Sequence, residues 1–311
     1  MDAILHYGRL CAPMFLLVAL GWALSAVWRG ARRLHEGLSR FVFTVALPAL
    51  LFSLMSDLSR LPPVDPRVLL AFFGGCLLVF VVGRVIAWQM FALDGVSQSL
   101  FALAGIFSNN VLLGIPLAQS TLGPASMPTV ALVLVFNSLT LWTLVTVSVE
   151  WARHGSPSIA GFKTTVVSVL RNPIIVAILS GTAVGLSGWP LPELVSAPLH
   201  WAAQTAGPLA LVTLGMGLAA HGIRAHWRPA LTMTGVKLVV QPLAVWTLAR
   251  LLGLGAMETR AVTLLASIAT GANVYLMSRQ FQSQEGPVAG ALVLSTALAA
   301  ITTPLWLALT A

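Results

Sequence analysis

Along most of this chain, apolar residues run on for about 20 positions at a time, with neither the alternation of a half-exposed strand nor the narrow stripe of a surface helix. A helix needs a run of that length to cross the roughly 30 Å hydrocarbon core of a bilayer at about 1.5 Å per residue. The pattern predicts ten spans, near residues 10–28, 39–57, 67–88, 97–120, 127–150, 168–187, 199–220, 229–252, 259–281 and 287–309. Polar residues mostly gather in the short segments between them. The sharpest exception is SNNVLLGIPL, residues 108–117, where Ser108, Asn109 and Asn110 fall inside the fourth run. A polar amide without a partner at that depth costs a few kcal/mol.

Composition agrees with a multi-pass membrane protein: 58% of residues are hydrophobic, 8% are charged and the mean hydropathy is +0.91. A soluble domain carries about 25% charged residues. The first span resembles a signal peptide in its ALSA stretch, Ala23 to Ala26, but Arg29, Arg32 and Arg33 follow the apolar run instead of preceding it. That is the wrong polarity for a cleaved leader, so the segment reads as a span. The net charge of +8 is distributed by topology, with eleven Lys and Arg in odd-numbered loops and five in the N-terminus and even-numbered loops. The positive-inside bias then puts both termini outside a cell (inner or plasma) membrane, and no nucleic-acid partner is expected. Cys11 and Cys76 fall in spans and read as small packing residues, and the six histidines show no metal-ligand spacing.

The chain repeats itself at long period. Pro13 and Gly21 recur as Pro173 and Gly181, and Pro48 as Pro208, at an offset of 160; Gly74 recurs as Gly235 at 161; Asn110, Gly123 and Pro124 recur as Asn273, Gly286 and Pro287 at 163. Each copy, 1–155 and 156–311, holds five spans, and an odd number turns the second copy over in the membrane. The expected fold is therefore an all-α polytopic protein of ten helices in a 5+5 inverted repeat, a construction common among secondary transporters.

In both copies the fourth span is the least regular. Span nine carries Thr270, Gly271 and Asn273 where span four carries Ser108, Asn109 and Asn110. Pro116 lacks an N–H and clashes with a carbonyl one turn back, which disfavours an unbroken helix by about 3 kcal/mol. Gly271 loosens the matching place by about 1 kcal/mol relative to alanine. Unwound segments expose N–H groups and the positive ends of half-helices, which suit an anion. Lys237, nine residues past Arg228, falls near mid-membrane, where it would meet a carboxylate or brace unwound carbonyls; Gln241 and Tyr275 are polar and on the right spans to line a pocket. All nine acids fall in loops or at span ends, which favours uniport or coupling to an ion such as Na+ through neutral oxygen ligands and leaves H+ coupling open only through protonation at Asp57 or Glu150.

SNNVLLGIPL, ALPALLF, RNPII and TGANVYLMSRQF, in this order over nearly the whole chain, resemble the auxin efflux carrier family in its bacterial branch. More distantly the pattern is similar to the bile acid:sodium symporter superfamily. The resemblance implies a scaffold from about 1–62 and 165–226 and a mobile transport unit from about 63–152 and 227–311. It also implies broken fourth and ninth helices crossing at the substrate site, small organic anions such as malonate, malate or an auxin-like acid as substrates, elevator-type movement, and a homodimer formed through the scaffold. Two departures stand out: the ninth-span stretch LLASIATGAN lacks the family's usual preceding proline, and the long central loop of the plant carriers is missing.

Two other readings compete: an anion channel and a sodium-coupled symporter of the bile-acid type. An enzyme is not expected, because no GxSxG, HExxH or phosphate loop is present; GMGLAAHG, Gly215 to Gly222, lies at the end of a span and not in a strand-turn-helix. No cofactor or metal is expected.

Overall fold

A computed structural model describes residues 2–28, 30–56, 65–154, 173–188, 191–219 and 227–311. Arg29, Asp57, Arg60, Lys163, Arg171, Asn172, His221, Arg224 and the boundary between the two sequence copies lie outside these residues.

The described residues are mostly helical, as a chain must be where the bilayer offers no partner for a backbone amide, and no strand longer than one isolated bridge occurs among them. The helices are α1 (Asp2–Val27), α2 (Ala31–Phe41), α3 (Leu47–Ser56), α4 (Arg67–Phe91), α5 (Gly95–Ala104), α6 (Ile115–Thr121), α7 (Met127–His154), α8 (Pro173–Ser187), α9 (Glu193–Leu218), α10 (Trp227–Gly235), α11 (Gln241–Leu251), α12 (Ala256–Ser267), α13 (Ala272–Phe281) and α14 (Glu285–Leu309). Among the described residues, six stretches are long and apolar enough to cross a membrane: Ile4–Val27, Arg33–Ser53, Arg67–Phe91, Pro124–Arg153, Trp227–Leu251 and Glu285–Leu309. They correspond to predicted spans one, two, three, five, eight and ten. Spans four and nine are interrupted, as α5 with α6 and as α12 with α13. Large apolar side chains such as Leu16, Val81 and Trp88 stand exposed on the outside, a surface suited to lipid.

Three five-residue π turns, Val42–Ala46, Asn110–Gly114 and Val236–Val240, share one cause. Each is followed two residues later by a proline: Pro48, Pro116 and Pro242. In each, the residue before the proline donates five positions back, Leu47 to Val42, Ile115 to Asn110 and Gln241 to Val236. The wider turn relieves the clash between the proline ring and the carbonyl four residues behind it. In the third turn that carbonyl, Leu238 O, instead accepts from the indole Nε1 of Trp306 at 2.9 Å. Pro116 therefore does not mark the interruption of span four. The break lies earlier, between the end of α5 at Ala104 and Asn110, and helix continues through Pro116 into α6.

One group of helices packs α1 on α9 and α3 on α8 and α9; a second gathers α4, α5, α7 and α10 to α14, with α1 also resting on α14. Backbones in the first group touch through glycine. A Cβ on Gly21 would stand 2.1 Å from Val212 O, one on Gly215 1.9 Å from Val18 O, and one on Gly181 2.7 Å from Phe52 O. Such contacts between small residues bring membrane helices close, where dispersion and not the hydrophobic effect holds them. Gly215→Ala is expected to cost about 1–3 kcal/mol by forcing α1 and α9 apart. A thermal-unfolding midpoint in detergent equal to that of the wild type would show that the two helices can separate without loss.

Candidate functional site

Where spans four and nine break, the two unwound segments of backbone lie side by side. Asn109 N donates to Ala269 O at 2.9 Å and Gly271 N donates to Phe107 O at 2.8 Å, an antiparallel bridge that pairs Ser108 with Thr270. Gly271 is needed by close approach: a Cβ there would lie 3.0 Å from Ser108 O and from the Phe107 ring.

A broken helix leaves carbonyls at its C-terminal end without intrahelical partners. Here side chains from neighbouring helices supply them. The Thr270 hydroxyl donates to Ala104 O at 3.0 Å, and Gln241 Nε2 donates to Ile106 O at 2.7 Å. Lys237 Nζ donates to Ala266 O at 2.6 Å, and the Thr303 hydroxyl donates to Ser267 O at 3.2 Å. Lys237 Nζ also donates to Gln241 Oε1 at 2.6 Å, so one buried chain of bonds joins the ends of α5 and α12. The ammonium sits at the negative end of α12, where a helix dipole favours a cation.

On the other side of the crossing, where the second halves begin, the structure leaves space. A cavity of about 110 Å3 is lined by Ser108, Asn109, Asn110, Asn137, Gly271 and Asn273, with apolar walls from neighbouring helices. The helical turn beginning at Asn110 and the start of α13 at Ala272 both open onto it, and no side chain caps either end. Six buried side-chain atoms among the described residues have no hydrogen-bond partner, and three of them are here: Ser108 Oγ, Asn109 Nδ2 and Asn110 Oδ1. Their residues are only 2%, 6% and 2% exposed, so bulk water does not serve them. Asn110 Nδ2 donates to Asn137 Oδ1 at 3.4 Å.

Of the residues singled out in the sequence, Ser108, Asn109, Asn110, Gly271 and Asn273 meet at this cavity. Thr270, Lys237 and Gln241 do not line it; they are buried behind it, tied to the interrupted backbones. Tyr275 lies one turn further along α13, partly buried against the apolar core and away from the cavity lining. Pro116 lies in the first turn of α6, outside the lining. Asn137 was not anticipated. Its signal is available, as an uncharged amide inside an apolar run, but it has no helix breaker beside it and no amide 160–163 residues further along the chain.

The cavity thus combines unsatisfied amides, two positive helix ends and no charged side chain among its described lining residues. That arrangement can hold one small anion without a metal. Residues 9–307 match the family model described as "Membrane transport protein". Over 302 residues the chain is 25% identical to a protein of Rhizobium meliloti (strain 1021) named "Putative malonate transporter"; the match covers 94% of this chain and 92% of that one.

Proposed function

The chain belongs to the membrane transport protein family, the auxin efflux carrier family that its motifs resemble, and we propose that it carries a small carboxylate through the cavity at the crossing. Membership makes it a multi-pass membrane transporter and not an enzyme. The observation that carries the substrate reading is the meeting of two uncapped helix N-termini with three unsatisfied buried polar atoms in one small space. Backbone N–H groups at such ends bind carboxylates without a formal cation.

Size narrows the solute. An engineered cavity of about 150 Å3 takes benzene, whereas this one is about 110 Å3. A three- or four-carbon acid such as malonate or malate suits it; a fused bicyclic acid of the auxin type overflows it in this conformation. The relative named for malonate supports the same choice.

Movement follows from the proposed inverted repeat. The contact of Gly21 with Val212 and that of Gly181 with Phe52 exchange under an offset of 160, as a two-fold axis requires. Helix α4 (Arg67–Phe91) and the helical run Trp227–Leu251 share the same offset at both ends, and Ser108 pairs with Thr270 at 162. In this reading α1 to α3, α8 and α9 form the scaffold, and the remaining helices carry the crossing past it to expose the cavity alternately on each side.

Purified protein in liposomes tests the proposal. Saturable uptake of labelled malonate, accelerated by unlabelled malonate inside, is expected. A current that grows linearly with concentration would point to a channel instead, and indifference to every small carboxylate would remove the anion reading.

A further inference from the structure

Building on that reading, we infer that the cavity accepts a small dicarboxylate as its singly protonated monoanion, so that the solute itself carries the proton across. The unsatisfied atoms are not all donors. Asn109 Nδ2 and the first N–H groups of α13 favour a carboxylate, but Asn110 Oδ1 is an acceptor, and an acceptor needs a hydrogen. Asn110 and Asn137 share one N–H···O bond between two amides. Turning the pair over changes which residue donates, yet either orientation leaves one amide oxygen without a hydrogen.

A fully ionised dicarboxylate meets this arrangement badly. Its first carboxylate faces the helix ends; its second would find at best amide N–H groups, with the Asn110 oxygen still unmet and no cation among the described lining residues to offset the added charge. The walls offer none among the described residues: α7 contributes Leu134 and Asn137, α8 contributes Ile174 and Ile175, and the first π turn contributes Phe43. The buried ammonium of Lys237 is held by Ala266 O and Gln241 Oε1 and does not reach the lining. Protonating the second carboxyl changes the balance, because its O–H donates to the amide oxygen and the solute retains a single charge for the helix ends.

Proton-linked uptake then needs no titrating side chain in the carrier. It accounts for a transporter whose described cavity has no carboxylate relay and no charged ion ligand. The same logic favours hydroxy acids and acid amides, which also pair one carboxylate with one donor.

The test uses wild-type protein in liposomes with three probes: malonate; malonamate, a monoanion whose amide N–H does not titrate away; and monomethyl malonate, a monoanion with no donor. Malonate uptake at fixed total concentration should fall about tenfold for each pH unit above its second ionisation, following the monoanion. Malonamate should inhibit that uptake with an affinity independent of pH, and the methyl ester should inhibit at least about tenfold less well, since it leaves the buried acceptor unmet. Asn110→Ala, assayed beside the wild type, should erase the preference for malonamate over the ester. Uptake that is flat or rising with pH, or equal inhibition by amide and ester, overturns the inference while leaving a carboxylate carrier in place. Failure to take up or bind any carboxylate overturns the carrier reading and this inference together.

Discussion

Lys237→Met is expected to weaken the folded protein by about 2–6 kcal/mol, the sum of two orphaned buried acceptors at about 1–3 kcal/mol each. Those acceptors are Ala266 O and Gln241 Oε1, both 2.6 Å from the ammonium. The side chain is fully buried, so water cannot replace it. Some of the loss is offset because methionine has no charge to desolvate, and a buried charge is costly to keep. The acceptors decide the sign, since one is the end of a helix with nowhere else to turn. Gln241→Leu should also destabilise, by leaving Ile106 O with only the long contact from the Cys76 thiol at 4.0 Å. Because Lys237 and Gln241 share a bond, the double variant should lose less than the two single losses added. Additive losses would mean that the chain from α5 to α12 does not act as a unit. Since Lys237 stands off the cavity, the fraction of folded carrier should fall further than the substrate affinity of what remains. A variant with normal thermal stability but a strongly raised KM would place the ammonium at the substrate after all.

That separation of bracing from binding is where the sequence was least legible. Polar residues in an apolar run announce themselves, the more so when similar clusters recur in two such runs; Ser108, Asn109, Asn110, Gly271 and Asn273 stand out in this way, and they line one cavity. Burial is legible as well: a lysine inside an apolar run needs partners within the protein, and Lys237 is fully buried among the helices. Which way a side chain points is not legible. A π turn inserts one residue, and at 3.6 residues per turn that rotates everything beyond it by about 100°. Lys237 lies inside such a turn and Gln241 just after it, so periodicity counted from Arg228 does not tell cavity from crossing. Pro116 misled for a related reason. Its clash is absorbed by the wider turn, and the interruption falls instead at Gly105 to Asn109, where the bridge to residues 269–271 gives the unwound backbone its partners. Asn137 required tertiary packing to be seen, because only the approach of α7 turns a lone amide into part of a site.

Asn110→Asp tests the sign of the site's charge more severely than any alanine could. Alanine removes a bond of about 1 kcal/mol and leaves a small gap, an effect near tenfold that a structural amide would also produce. Aspartate keeps the shape and substitutes an anion for the buried, unsatisfied amide oxygen of a residue that lines the cavity. At about 4 Å and an effective dielectric of about 20, its repulsion of a bound carboxylate is about 4 kcal/mol, or roughly a thousandfold in affinity. The burial of Asn110 and the nearby anion both favour the protonated aspartic acid, so binding of a probe that does not itself titrate, such as malonamate, should recover as pH falls. In the wild type that binding should not change. A cation held at the same place would bind more tightly to the aspartate variant and would lose that gain on acidification. Opposite signs are therefore expected from opposite solutes at a single near-isosteric substitution, and an affinity unmoved by Asn110→Asp from acid pH to an alkaline pH at which the new carboxyl must ionise would mean that the transported ion never approaches the crossing.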